Sequence, residues 1–370
     1  MNEQAAMTEL SPMNKILIIK MSAVGDVVMS LPALEALRRK YPGAEIDWLV
    51  EPASAGLLQG HPHLGRVIVS PRRELTRLLK SGRLFQARRL YADFKKELRA
   101  MEYDVVLDLQ GLLKSGLMVR LARGRRKVGF DLTREKSFKF LNEKMPPYDP
   151  DRHASLRYLD AAVYLGADRP DQWPDRYYAP PPEAVEEAEK LLAEKVHGPF
   201  VILNPGARWV TKRWPLHHWT ELADKILRNT NLEVVVTGGT DDDEWGRVIE
   251  KAVPEIAVNF CGLTSLPVLA HIMTRAEGVI TGDTGPMHLA AAVGAGGVAL
   301  FGPTKPWRTG PFGGHFEVLR PKLNCLGCLK KNCDQPCLEL LSPATVFHKL
   351  CEFLNSGDPH RKKPKWLHRI

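Results

Sequence analysis

Directly after the apolar run ILII at residues 16–19 stands Lys20-Met21-Ser22-Ala23-Val24-Gly25-Asp26, a turn of small residues that opens a helical pattern and places one carboxylate where a strand ends. Within hydrogen-bond reach of a sugar hydroxyl, such a carboxylate can take the hydroxyl proton as the oxygen attacks, so Asp26 is a candidate general base. An Asp here can equally cap the helix. In the second half, Thr281-Gly282-Asp283-Thr284-Gly285-Pro286-Met287-His288 again joins a strand end to a helix start. Free backbone N–H groups at that helix start, with the Thr284 hydroxyl and His288, can hold a diphosphate without any metal, and Pro286 suits a first helical turn. Asp283 is awkward beside phosphate and is read as binding a sugar hydroxyl or fixing the loop. The alternative for the whole segment is a purely structural turn.

Further loops follow candidate strands. Asn204-Pro205-Gly206-Ala207-Arg208 leads into Lys212-Arg213-Trp214-Pro215, and Phe301-Gly302-Pro303-Thr304 follows a later strand. Lys212 or Arg213 can neutralise the charge that builds on a departing diphosphate, unless the two are simply a solvated pair. Among Asp241, Asp242 and Asp243 an acidic side chain can accept bonds from ribose hydroxyls, or cap the next helix. Cys325, Cys328, Cys333 and Cys337 form a C-x2-C-x4-C-x3-C run on a Gly/Pro-containing loop, a spacing that suits zinc or an iron–sulfur cluster but is also compatible with free or paired thiols. No G-x-G-x-x-G and no G-x-x-x-x-G-K-[ST] occurs, so dinucleotide dehydrogenases and P-loop enzymes lose their main support.

The elements that must position these residues alternate. Strands are expected at 16–19, 45–50, 67–70, 104–109 and 127–130, with helices at 27–40, 84–101 and 112–122. The proline-rich stretch 168–182 reads as a linker. Beyond it come a helix at 183–195, strands at 200–204, 233–237, 257–260, 278–281 and 298–301, and a closing helix at 343–354. Such βα alternation predicts two parallel sheets covered by helices, with ligands beyond the carboxyl ends of the strands.

A chain of 370 residues exceeds what one core usually supports, which favours two domains. No apolar run of membrane-spanning length occurs, and residues 1–14 lack the apolar core of a secretory signal, so a cytoplasmic protein is expected. The formal net charge of +9, with basic clusters at 123–127 (RGRRK) and 360–365 (HRKKPK), attracts phosphates of any kind: nucleic acid, an anionic membrane surface or a phosphorylated glycolipid. Few aromatic residues interleave with the basic clusters, which argues against a single-stranded nucleic-acid partner.

Taken in order, KILIIKMSAVGDVVMSLPAL (15–34), DLQGLLK (108–114), NPGARWVTKRWP (204–215), ITGDTGPMHLAAAVG (280–294) and FGPT (301–304) resemble the ADP-heptose:lipopolysaccharide heptosyltransferase family, glycosyltransferase family 9. The resemblance implies a GT-B fold, α/β, with two Rossmann-like domains whose parallel sheets face a central cleft. It divides the chain into a leader (1–14), an acceptor-binding domain (15–175), a nucleotide-sugar domain (182–342) and a closing helix with basic tail (343–370). It implies inverting, metal-independent transfer of heptose from ADP-L-glycero-D-manno-heptose to the lipopolysaccharide inner core (Kdo-lipid A or its heptosylated form), with no cofactor. Asp26 falls on the family's base and Lys212 on the lysine at the donor phosphates. Asp283, Thr284, Gly285 and His288 fall on its nucleotide-sugar loop, and Asp242 near the adenosine ribose. Arg134 and His153 fall on first-domain basic residues facing the acceptor. At Ala207-Arg208 the chain lacks the hydroxyl pair that some relatives offer to phosphate. A cytoplasmic enzyme peripheral on the anionic inner leaflet, without a nucleic-acid partner, is the expectation. A GT-B nucleotide-sugar epimerase, a transferase of another sugar, and a basic nucleic-acid or membrane-binding module are the rivals.

Overall fold

The computed structural model describes residues 13–133, 135–171, 174–313, 315–325, 327–334 and 337–356. These form two compact units: the first runs to Pro150 and includes Ser155–Asp171, and the second takes Asp151–Ala154 and the described residues after Asp171.

The first unit contains β1 (Lys15–Ile19), α1 (Val24–Lys40), β2 (Glu45–Val50), α2 (Pro52–Leu58), β3 (Val67–Val69), α3 (Arg72–Lys80), α4 (Leu84–Leu98), β4 (Glu102–Asp108), α5 (Leu113–Leu121), β5 (Arg123–Phe130), β6 (Glu143–Met145) and α6 (Ala154–Tyr164). The second contains α7 (Pro182–Lys195), β7 (Phe200–Asn204), α8 (Leu216–Asn229), β8 (Glu233–Val236), α9 (Asp243–Ala252), β9 (Ala257–Asn259), α10 (Leu266–Arg275), β10 (Gly278–Gly282), α11 (Gly285–Ala292), β11 (Gly297–Leu300), α12 (Pro306–Thr309), β12 (Phe316–Leu319) and α13 (Pro343–Asn355).

The strand orders are β3-β2-β1-β4-β5-β6 and β12-β11-β10-β7-β8-β9, every pairing is parallel, and each sheet has the order of a dinucleotide-binding fold. Strands covered on both faces must be apolar almost throughout. Ile16, Leu17, Ile18 and Ile19 accordingly show no exposed surface, nor do Val201, Ile202 and Leu203. In each sheet the chain reverses direction beside its first strand, between β1 and β4 and between β7 and β10. Loops leave such a switch point to opposite sides and open a crevice at the carboxyl ends.

The cluster RGRRK is the first part of β5, which starts at Arg123 rather than at residue 127. Register with β4 sets Arg123 opposite Glu102, the two pair at 2.8 Å, and Arg126 pairs with Glu143 at 2.7 Å. Pairing partners thus override the poor strand propensity of the arginines. The second basic cluster, 360–365, lies outside the described residues.

At the amino end of the first sheet, Asp47 of β2 is wholly buried. It accepts from Arg66 Nη2 at 2.6 Å and from the Tyr103 hydroxyl of β4 at 2.6 Å. A buried carboxylate needs every donor it has. Tyr103→Phe is therefore expected to cost about 1–3 kcal/mol, read as a lower urea midpoint at unchanged slope. Arg123→Ala, which breaks an exposed pair, is expected to stay within about 0.5 kcal/mol in the same assay.

Candidate functional site

The first site grows from the β1–β4 switch point. Register sets Ile19 opposite Asp108, so the next residue, Lys20, leaves the sheet beside the end of β4 with its side chain buried. A buried ammonium must find acceptors. Lys20 Nζ donates to the Tyr158 hydroxyl at 2.7 Å and to the Leu109 carbonyl at 3.4 Å, and it lies 3.5 Å from Asp26 Oδ1. Tyr158, brought in on α6, passes the interaction on by donating to Asp26 Oδ1 at 2.8 Å. Burial drives the Lys20 ammonium below its ordinary value, against the pull of Asp26 and Asp108. Burial and the adjacent Asp26 charge hold the Tyr158 hydroxyl well above its usual range, so it stays a donor. Burial also pushes the Asp108 carboxyl up to about 6, against the Gly111 and Gln110 N–H groups and Ser115.

Of the two roles left open by its sequence, Asp26 fills the capping one with one oxygen, and its other oxygen is held in place by side chains. Its Oδ2 accepts from the Ala23 N–H at 3.1 Å, which closes the start of α1, while Oδ1 is held by Tyr158 and Lys20. With 37% of its side chain exposed, the carboxylate is fixed in orientation and still reachable from solvent. The turn itself is tied down by Gln110, whose side-chain oxygen accepts from the Met21 and Ser22 N–H groups, both at 3.0 Å. Next to it Lys114 donates to Ser22 Oγ and to Glu51 at 2.9 Å. Burial alone would raise the Glu51 carboxyl, but the Lys114 and Arg72 hydrogen bonds hold it below its usual value.

The second site occupies the β7–β10 switch point. Register sets Asn204 opposite Thr281; Asn204 Nδ2 donates to the Thr237 carbonyl at 2.9 Å, which joins the ends of three strands. From the turn after β7, Lys212 Nζ donates to Asp283 Oδ2 at 2.6 Å and to the Asp283 carbonyl at 3.1 Å, and it sits 4.8 Å from the Trp209 ring centroid. Asp283 and His288 are buried, and His288 Nε2 lies 3.9 Å from Asp283 Oδ1. Of the two readings of Asp283, the geometry is that of a loop-fixing group, and the solvated-pair reading of Lys212 is overturned. Arg213 turns away to the Ala207 carbonyl at 2.8 Å. Thr284 precedes α11 in extended conformation and makes no side-chain cap. The start of α11, whose second residue Pro286 has no N–H to offer, is a place where an anion can bind.

Asp242 accepts from the Gly239 N–H at 3.0 Å, the capping role, and lies against Gly206, where an added Cβ would come within 2.3 Å of Asp242 Oδ2. Only a residue without a side chain lets the loops after β7 and β8 meet there. Asp243 is committed to Arg247 at 2.6 Å. Arg134 lies outside the described residues. His153 was expected on the first domain; instead it belongs to the four residues that pack with the second unit, stacked 5.1 Å from Phe312 and 3.2 Å from the Gly310 carbonyl. Tyr158 and Lys20 are the members that the sequence does not assign: Tyr158 is 132 residues from Asp26 and leaves no local signal, and the burial of Lys20 shows only in the folded chain. Among the described residues, the set of His, Cys, Asp or Glu ligand atoms that closes to within 4.8 Å is His217, His218 and Glu339. No described helix is long and apolar enough to cross a membrane.

Comparison with known proteins adds a family to this geometry. Residues 91–339 match the model of glycosyltransferase family 9 (heptosyltransferase). Lipopolysaccharide heptosyltransferase 1 of Pseudomonas aeruginosa is 32% identical over 330 residues, 86% of this chain and 87% of that protein. The namesake from Escherichia coli K12 is 29% identical over 84% of this chain and 95% of its own. The structure of E. coli heptosyltransferase WaaC with ADP superposes with a TM-score of 0.75 at 27% identity, over 92% of this chain and 99% of that one. Two parallel six-stranded sheets of this kind make the fold class GT-B, and the chain belongs to glycosyltransferase family 9, the heptosyltransferases.

Proposed function

We propose that this glycosyltransferase moves heptose from ADP-L-glycero-D-manno-heptose to the inner core of lipopolysaccharide, with inversion at the anomeric carbon. The observation that carries the reading is the Asp26 carboxylate, held by Tyr158, Lys20 and the Ala23 N–H at the carboxyl end of β1 yet reachable from solvent. The names of the relatives, lipopolysaccharide heptosyltransferases 1 and 2, support the acceptor. Structures of WaaC with ADP and with ADP-2-deoxy-2-fluoro heptose support the donor.

In this mechanism Asp26 takes the proton of the acceptor hydroxyl as its oxygen bonds to the anomeric carbon and the bond from that carbon to the ADP oxygen breaks. Charge then builds on the departing diphosphate. Lys212 meets it: an ammonium has three N–H donors, two go to Asp283, and the third is left for phosphate. Asp283 is no obstacle once Lys212 neutralises it, and its work is to aim the ammonium. The start of α11, with Thr284, Gly285 and His288, supplies the rest of the anion site, and Asp242 stands for the ribose. Arg134 and His153 enter as cationic groups for the acceptor on the strength of motif position. The transfer needs no cofactor. The formal charge of +9 suits docking on an anionic inner leaflet, the surface that carries the lipid acceptor, while the scarcity of aromatic residues beside the basic clusters argues against a single-stranded nucleic-acid partner.

The test is ADP release from ADP-heptose with and without Kdo-lipid A. Acceptor-dependent release by the wild type, falling by about 10²–10⁴ in Asp26→Ala, is the expected result. Unchanged release in the variant would remove Asp26 from the role of base, and acceptor-independent turnover would favour the epimerase reading. Tyr158→Phe keeps the ring but loses the donor to Asp26. It is expected to lower kcat about tenfold while leaving the KM for the donor nucleotide unchanged.

A further inference from the structure

The four clustered cysteines take no part in the transfer chemistry above, yet they are gathered. Cys325, Cys328, Cys333 and Cys337 line one cavity with Thr211 and Lys330. The cavity holds about 20 Å³, room for one ion-sized body. Cys325 and Cys328 are exposed thiols outside any disulfide, and Cys337 is half-buried. Exposed thiols on a surface loop are a reactive liability unless something occupies them.

We propose that these four cysteines bind a single zinc ion as a tetrathiolate site. Cys325 and Cys328 of the C-x2-C pair line the same cavity, and Gly327 and Leu329 beside Cys328 both have positive φ, 80° and 60°. The second pair, Cys333 and Cys337, closes the set at the spacing of structural zinc sites. Cys337 rests on the bare backbone of Gly302, where an added Cβ would come within 2.5 Å of its sulfur, so the glycine of the FGPT loop makes room for a ligand. Four thiolates on Zn²⁺ leave two negative charges, and Lys330 at the cavity wall with Lys331 beside it offsets them. Among the described residues no three of these sulfurs lie within 4.8 Å of one another, so the proposed site requires that binding draw them together.

The site has a structural consequence. The Thr211 hydroxyl donates to the Lys330 carbonyl at 2.8 Å, the Leu329 N–H donates to the Pro303 carbonyl at 2.7 Å, and the Lys331 ammonium lies 5.3 Å from the Trp209 ring centroid. The loop therefore grips the turn that carries Lys212, and zinc would fasten that grip. The consequence for Lys212 rests on the donor-phosphate reading; the metal count does not.

The experiment is elemental analysis of the full chain purified without chelator, alongside a Cys325→Ser/Cys328→Ser variant, with Co²⁺ loading as a spectroscopic probe. About one zinc per wild-type chain, loss of that zinc in the variant, and thiolate-to-cobalt charge-transfer absorption in the wild type alone are the expected results, together with a lower wild-type Tm after chelation. Background metal with no charge-transfer band on cobalt addition would overturn the proposal, as would iron with inorganic sulfide, cysteines recovered as disulfides, or zinc retained by the variant. A variant that fails to fold leaves the wild-type zinc count and cobalt spectrum to decide.

Discussion

An ammonium taken out of water has to be met by acceptors, and Lys20 is such an ammonium, 2% exposed at the end of β1. Parallel strands force the issue. They run apolar through the sheet and release the chain at their carboxyl ends, where the switch point gives two loops room to diverge. Whatever polar group starts the loop after β1 is half inside the core. The chain answers with Tyr158, with the Leu109 carbonyl and with Asp26. The need to satisfy Lys20 thereby fixes where α6 packs and how the Asp26 carboxylate points. A group without an evident chemical step of its own thus sets the geometry of the proposed base.

The second unit solves the same problem with different residues. Lys212 arrives from the turn after β7 and Asp283 from the end of β10, and their pairing at 2.6 Å neutralises an acidic side chain that would otherwise repel phosphate. The Asn204, Thr237 and Thr281 side chains tie the strand ends beneath it. Each Rossmann-like unit thus contributes one charge-bearing crevice: a carboxylate in the first and an ammonium beside a helix start in the second. Proton removal and leaving-group stabilisation are in this account separate duties of separately folded halves.

Much of this was legible in the sequence because parallel sheets write themselves plainly. Runs such as EIDWLV at Glu45–Val50 and FVILN at Phe200–Asn204 are read with the right ends, since alternation with helices and β-branched content agree. The strand start at Arg123 is not readable, because its arginines gain their place from Glu102 and Glu143 on neighbouring strands. β6 (EKM) and β12 (FEVL) are short edge strands only partly buried, with no long apolar run to announce them. In the candidate sites, Asp26, Lys212, Asp283 and His288 are singled out by motif, and the structure places them at the two switch points. Tyr158 is not singled out, because α6 meets β1 only in the folded chain. His153 shows the opposite failure: a motif position assigns it to one half, and stacking on Phe312 holds it with the other.

The division of duties between the halves is tested most directly by calorimetric titration of ADP into the wild type, Asp26→Ala and Lys212→Ala. Affinity weakened by about ten- to a hundredfold in Lys212→Ala, with Asp26→Ala binding ADP as the wild type does, is the result expected of an ammonium on the diphosphate and a carboxylate on the acceptor. Equal affinity in all three proteins, or a loss confined to Asp26→Ala, would contradict it.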